Sequence, residues 1–183
     1  MDVFAKQTRL VDTRTGEVVK EGVTHFPAYF DEEKGYLLWP RKNFAKQFAD
    51  IDFPKDMSML DRGRMATLAK RIWSNTNMLG YRSHGQLRPY DVDGIGEAIE
   101  LSPRYAREWV DKMVDLGVLA RVDVTLCGNT ETQYYVNPIY FCSSTRIPLN
   151  LYLIFRKSLD LHLPAWVKAR YAQQMTPEQK KVV

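Results

Sequence analysis

Arg104 and Arg107 stand one helical turn apart just behind Ser102-Pro103. A guanidinium can form two parallel hydrogen bonds to the acceptors of a guanine edge. In a helix lying in a major groove, side chains of the first turn are the ones that reach base edges. Glu108 follows Arg104 by four residues, where it either accepts from a cytosine amino group or orients Arg104 through an i,i+4 pair. Tyr105 is suited to stacking or to a phosphate hydrogen bond, and Lys112 flanks the same face. Ser102 is expected to cap this helix, whose free N–H groups and dipole also favour phosphate. Arg62, Arg64, Arg82 and Arg88 are candidates for holding the flanking backbone, and Asn129 sits in a following turn. The plain alternative for each arginine is a solvated surface side chain.

Other chemistry finds little material. His25, His84 and His162 are isolated, and Cys127 and Cys142 form no Cys-x-x-Cys pair or zinc-ligand spacing. There is no Gly-x-x-x-x-Gly-Lys-Ser/Thr phosphate loop, no nucleophile motif and no carboxylate pattern assignable to acid–base work. The expectation is a protein without catalytic residues, metal or cofactor. Trp73, Trp109 and Trp166 read as core or interface residues rather than base-stacking platforms.

Positioning these side chains requires a scaffold, and its elements are legible in the local pattern. Thr8 to Val19 places β-branched residues on both sides of a polar stretch ending at Gly16, a hairpin signal. Gly35 to Trp39 reads as a strand closed by Pro40, and Asn43 through Asp50 as a short helix with Phe44 and Phe48 on one face. From Ser58 to Ser74, Met59, Leu60, Met65, Leu68, Ala69, Ile72 and Trp73 recur at helical spacing behind a Ser58 cap. Residues 75 to 90 read as a polar loop.

Asp91 or Asp93 is then expected to cap a helix to about Leu101, with Gly94 and Gly96 permitting close packing. The helix opened by Ser102-Pro103 runs to Leu116 before Gly117, with Ala106, Val110, Met113 and Val114 inward. Val118 to Leu126 and Gln133 to Val136 form a hairpin through Cys127-Gly128-Asn129-Thr130, closed by Asn137-Pro138. Helix, turn, helix, glycine and hairpin in that order describe a winged helix-turn-helix. Leu149 to Phe155 and Pro164 to Gln174 are two further helices, the first almost wholly apolar.

The stretch from Leu101-Ser102-Pro103-Arg104 through Asp115-Leu116-Gly117-Val118-Leu119 resembles the winged-helix core of Rep-L-type replication initiators of Firmicute plasmids and phages. Tyr134-Tyr135-Val136-Asn137-Pro138-Ile139-Tyr140-Phe141 is similar to their wing-closing strand, and Asp12-Thr13-Arg14-Thr15-Gly16-Glu17 to a polar hairpin near their start. The likeness is best over residues 91–141 and implies binding to double-stranded origin DNA without a catalytic centre. One departure is the wing tip, Cys127 to Glu131, which carries no Lys or Arg.

Composition bounds these expectations. The chain has 183 residues, 45% hydrophobic, 12% aromatic and 26% charged, a globular mix that excludes wholesale disorder. No apolar run approaches the roughly 18–20 residues of a bilayer crossing, and Met1-Asp2-Val3-Phe4 lacks signal-peptide order, so a cytosolic protein is expected. The net charge of +4 resides in residues 126–183, which hold seven basic and three acidic side chains. The fold class expected is α+β, a winged helix-turn-helix over 58–141 with an N-terminal β-hairpin segment over 1–57 and a C-terminal helical extension over 142–183. The function expected is sequence-specific binding of double-stranded DNA as a plasmid or phage replication initiator. An operator-binding regulator and a protein-interaction module are the alternatives. The apolar run Leu149 to Phe155 further implies a homodimer through the C-terminal helices.

Overall fold

The computed structural model describes residues 4–26, 30–31, 35–36, 45–48, 50–73, 76–126, 128–144 and 146–176. The fold is α+β, and the chain divides into two compact units, residues 1–42 and 43–183.

In the first unit, β1 (Phe4–Val11) pairs antiparallel with β2 (Val18–Phe26). The expected turn closes on backbone bonds from Gly16 N–H to Asp12 O (2.7 Å) and Asp12 N–H to Glu17 O (2.9 Å). Gly16 takes φ +75°, the left-handed region its missing Cβ makes accessible. β3 (Phe30–Asp31) pairs with β4 (Gly35–Tyr36). The rest of the strand expected to Trp39, with Pro40, lies outside the described residues.

The second unit opens with a correction. Asn43 and Phe44 lie outside the described residues, and Lys46 is extended rather than helical, its N–H donating to Cys142 O at 2.8 Å and its carbonyl accepting from Cys142 N–H at 2.9 Å. This reciprocal pair uses the backbone groups a helix would need, so tertiary pairing overrides the phenylalanine spacing. Phe53 stacks on Tyr140 with ring centroids 5.0 Å apart and Met57 is buried in the core, so residues 50–57 pack within the second unit.

Helix α1 (Met59–Ala69) starts at a reciprocal cap: Ser58 Oγ accepts from Asp61 N–H, and Asp61 Oδ2 accepts from Ser58 N–H. It ends earlier than its apolar spacing implies, because Ile72 pairs with Leu79 instead of continuing the helix. Asn77 makes that reversal, at φ +57° and fully buried. Its Nδ2 donates to Val136 O (2.9 Å) and Phe141 O (2.7 Å), and its Oδ1 accepts from Ser143 N–H. The expected loop over 75–90 is instead largely a hairpin, β5 (Gly80–Ser83) and β6 (Gln86–Pro89), joined by His84 and Gly85, both at positive φ. That backbone is the one a two-residue hairpin turn requires.

Helix α2 (Val92–Ala98) is capped by the Asp91 carboxylate, which accepts from Gly94 N–H at 2.8 Å. It stops short of Leu101 because Glu100 turns the chain at φ +58°. Helix α3 (Pro103–Asp115) crosses it closely: a Cβ on Gly96 would stand 2.7 Å from the Ala106 Cβ. Ala106, Trp109, Val110 and Met113 are buried. β7 (Leu119–Leu126) and β8 (Asn129–Val136) then pair over their full lengths, so β8 begins four residues earlier than expected and Asn129 belongs to the strand. Residues 77–79 add to this hairpin, with Leu79 N–H donating to Tyr134 O and Val136 N–H to Asn77 O, each 2.8 Å.

The β7–β8 hairpin has a core on each face. Leu119, Tyr134 and Val136 join the core of α1, α2 and α3, whereas Ala120, Val122 and Tyr135 pack with α4 (Leu149–Ile154), α5 (Arg156–Leu159) and α6 (Ala165–Gln174). Asn137 ties the two together, donating to Gly117 O (2.8 Å) and Ser158 Oγ (2.9 Å). Leu151, Tyr152 and Phe155, part of the run behind the expected homodimer, are buried by the chain itself, which removes the reason for that expectation. No described helix is long and apolar enough to cross a membrane.

Candidate nucleic-acid interface

The 3.6-residue period of α3 separates its buried stripe from an outer face that carries Arg104, Tyr105, Arg107, Glu108, Asp111 and Lys112, all exposed. Ser102 holds extended backbone at the cap position but makes no side-chain cap bond, so the first amides of α3 lack the expected partner. Arg104 Nε lies 3.4 Å from Glu108 Oε1, the orienting i,i+4 pair, with the Arg104 side chain 84% exposed. Tyr105 is 60% exposed. Arg107 is held by no ion pair among the described residues and lines a cleft of about 380 Å³ with Val92, Asp111, Arg121, Asp123, Thr132 and Tyr134.

Lys112 is already engaged. Its Nζ donates to Asp61 Oδ2 at 2.8 Å, while Trp109 Nε1 donates to Asp61 Oδ1 at 2.8 Å and Arg64 stands 3.7 Å away. Burial pushes the Asp61 carboxyl up, but its hydrogen bonds from Lys112, Ser58 and Trp109 outweigh that and hold it at about 2. Asp61 thus clamps α3 onto α1 as an ionised, buried carboxylate. The Ser58-x-x-Asp61 spacing marks it as a cap in the sequence, but its contacts with residues 48 and 51 positions away carry no local signal.

The remaining candidates are dispersed. Arg88 lies opposite Tyr81 in the β5–β6 register and Arg82 opposite Leu87, so the two arginines occupy opposite faces of that hairpin. The Arg82 guanidinium rests over the Trp73 ring, 5.5 Å from its centroid. Asn129 is exposed beside the β7–β8 turn. Farther down that hairpin, Arg121 is paired with Asp111 and lies over Tyr134. Thr132 donates to Asp123 at 2.7 Å, and Glu131 is the only charged residue among 128–131.

Free positive charge on this side is therefore concentrated at the start of α3, while the hairpin beside it is acidic and hydroxyl-rich. Among the described residues, no group of three His, Cys, Asp or Glu is placed to hold a metal ion. No protein-family model, curated protein or solved structure matches this chain.

Proposed function

We propose that this chain binds double-stranded DNA sequence-specifically as a winged helix, with α3 in the major groove. The observation that carries the reading is the opening of α3, where Arg104, Tyr105 and Arg107 project from a helix whose other side is fixed by its buried stripe and by Asp61. Exposed guanidiniums on a firmly held helix are what direct readout of guanine needs. The element order supports it: α1, an extended segment at 77–79 paired to β8, α2, α3 and the β7–β8 hairpin follow the winged-helix sequence, with β5–β6 inserted after the first strand. The likeness of residues 91–141 to Rep-L-type initiators supports a plasmid or phage origin as the target, with an operator as the alternative site. Contacts from Arg88 and Asn129 would be secondary, and the bare hairpin tip is assigned no phosphate grip.

The test compares wild type, Arg104→Ala and Arg107→Ala on a selected specific duplex and a scrambled one. Loss of about 1–3 kcal/mol on the specific duplex, with relaxed preference at one base position, is expected for a base contact. An even loss on both duplexes with a salt slope shallower by about one marks a phosphate contact. Unchanged affinities in both variants would overturn α3 as the reader. They would favour the second reading, a protein-interaction module, for which the acidic hairpin with Asp123 and Glu131 is the specific observation.

A further inference from the structure

On α1, one residue beyond Asp61, Arg62 lines a cleft that the DNA reading does not use. The cleft is open to solvent, with Phe48 and Ala66 exposed at its rim, and has a volume of about 460 Å³; Ile51, Phe53 and Phe141 also line it. The Arg62 guanidinium lies 6.0 Å from the centroid of the Phe53 ring. Its Nε is shielded from solvent and meets no acceptor, and no ion pair neutralises the group among the described residues. The shielded Nε is out of an entering anion's reach, but the two Nη groups are not shielded, have no hydrogen-bond partner among the described residues, and offer an anion in the cleft a charge-assisted pair. Asp52 and Gln47 also line the cleft, and the Asp52 charge opposes any anion, a polyanion more strongly than a monoanion.

We infer that this cleft is a binding site for a small aromatic monocarboxylate, its ring system among Phe48, Phe53 and Phe141 and its carboxylate on the Arg62 guanidinium. The volume admits one or two fused rings, and a planar guanidinium matches a carboxylate in a bidentate fork. This assignment stands apart from DNA binding and does not rest on it.

The experiment titrates the full chain with 1-naphthoate and, separately, with its neutral isostere 1-naphthamide, following side-chain NMR signals of Ile51, Ala66 and the phenylalanines. Saturable shifts confined to cleft residues are expected with the carboxylate, and binding about tenfold or more weaker with the amide, as befits loss of a charge-assisted bond. Arg62→Gln should weaken naphthoate by about the same factor while leaving amide binding unchanged. Ala66→Phe, which fills the cleft and keeps Arg62, should abolish both, with the thermal transition of each variant establishing that it is folded. Absence of saturable shifts in wild type, equal affinity for acid and amide, or a folded Arg62→Gln chain that binds naphthoate unaltered would each overturn the site.

Discussion

The two halves of α3 are built for different ends. In its first turn and a half, Arg104, Tyr105 and Arg107 make no side-chain hydrogen bond or ion pair among the described residues beyond the 3.4 Å Arg104–Glu108 pair. From Trp109 to Lys112 the same helix is bound to a buried carboxylate by two hydrogen bonds of 2.8 Å. The polar anchoring of α3 is thus lodged in its second half, while in the first half only Ala106, packed on Gly96, is committed to the core and the arginines project outward. A helix arranged this way should tolerate substitution at its exposed arginines, the proposed reading face, and resist it where it is anchored. Mutations should separate folding from binding along a single element.

The largest expected effect is at the anchor. Trp109→Ala removes a buried aromatic and strips Asp61 of a donor, so stability should fall by about 3–5 kcal/mol in urea denaturation. A loss below about 1 kcal/mol would mean that the clamp does not hold in solution.

Acid titration reads the clamp next. The Asp61 carboxyl lies at about 2 in the folded chain against an ordinary 3.8, a depressed value. Its contribution is therefore complete above about pH 4 and is lost as pH falls toward 2, amounting to about 2 kcal/mol. Asp61→Asn should be less stable than wild type at neutral pH and should flatten the stability profile across that window. Parallel profiles for the two proteins would assign the acid sensitivity to other carboxylates.

The crossing of α2 and α3 gives a smaller effect. Gly96→Ala gains up to about 1 kcal/mol of helix propensity but forces its Cβ against Ala106, so a net loss of about 1–2 kcal/mol is expected. Ala106→Gly in the same chain should recover the part due to the clash. A Gly96→Ala chain more stable than wild type would show that the helices can part without cost.

What could be read from the sequence follows the range of the interactions. The caps at Ser58 and Asp91, the buried stripe of α3, Gly117 and the turn at Gly128 all depend on neighbours within a few residues, and their residue types announce them. The outer arginines were visible for the same reason, since a helix period and a proline-led start define which side chains project. Elements that hid are those set from afar. Lys46 is extended because Cys142 pairs with it, and α1 stops because Asn77 is gripped by backbone groups of Val136 and Phe141. Lys112 looked free because Asp61 lies 51 residues away. The β5–β6 hairpin was concealed differently: His84 supplies the left-handed turn position where Asn or Asp would have signalled it.

The smallest expected effect on stability is the most telling for recognition. Arg104 and Glu108 are 84% and 60% exposed, and the arginine precedes the glutamate, the weaker order for an i,i+4 pair against the helix dipole. Arg104→Ala should therefore change stability by less than about 0.5 kcal/mol while lowering affinity for the specific duplex by about 1–3 kcal/mol. Glu108 separates two roles. As an orienting group, it loses its purpose once Arg104 is gone, so Glu108→Gln should cost affinity in the wild-type background and almost none beside Arg104→Ala. As an acceptor from cytosine, it should cost the same in both backgrounds, because the two side chains would then read different bases. The geometry favours coupling, since the 3.4 Å contact already exists without DNA. Additive losses in the double-mutant cycle would assign Glu108 its own base pair and extend the reading face of α3 by one turn.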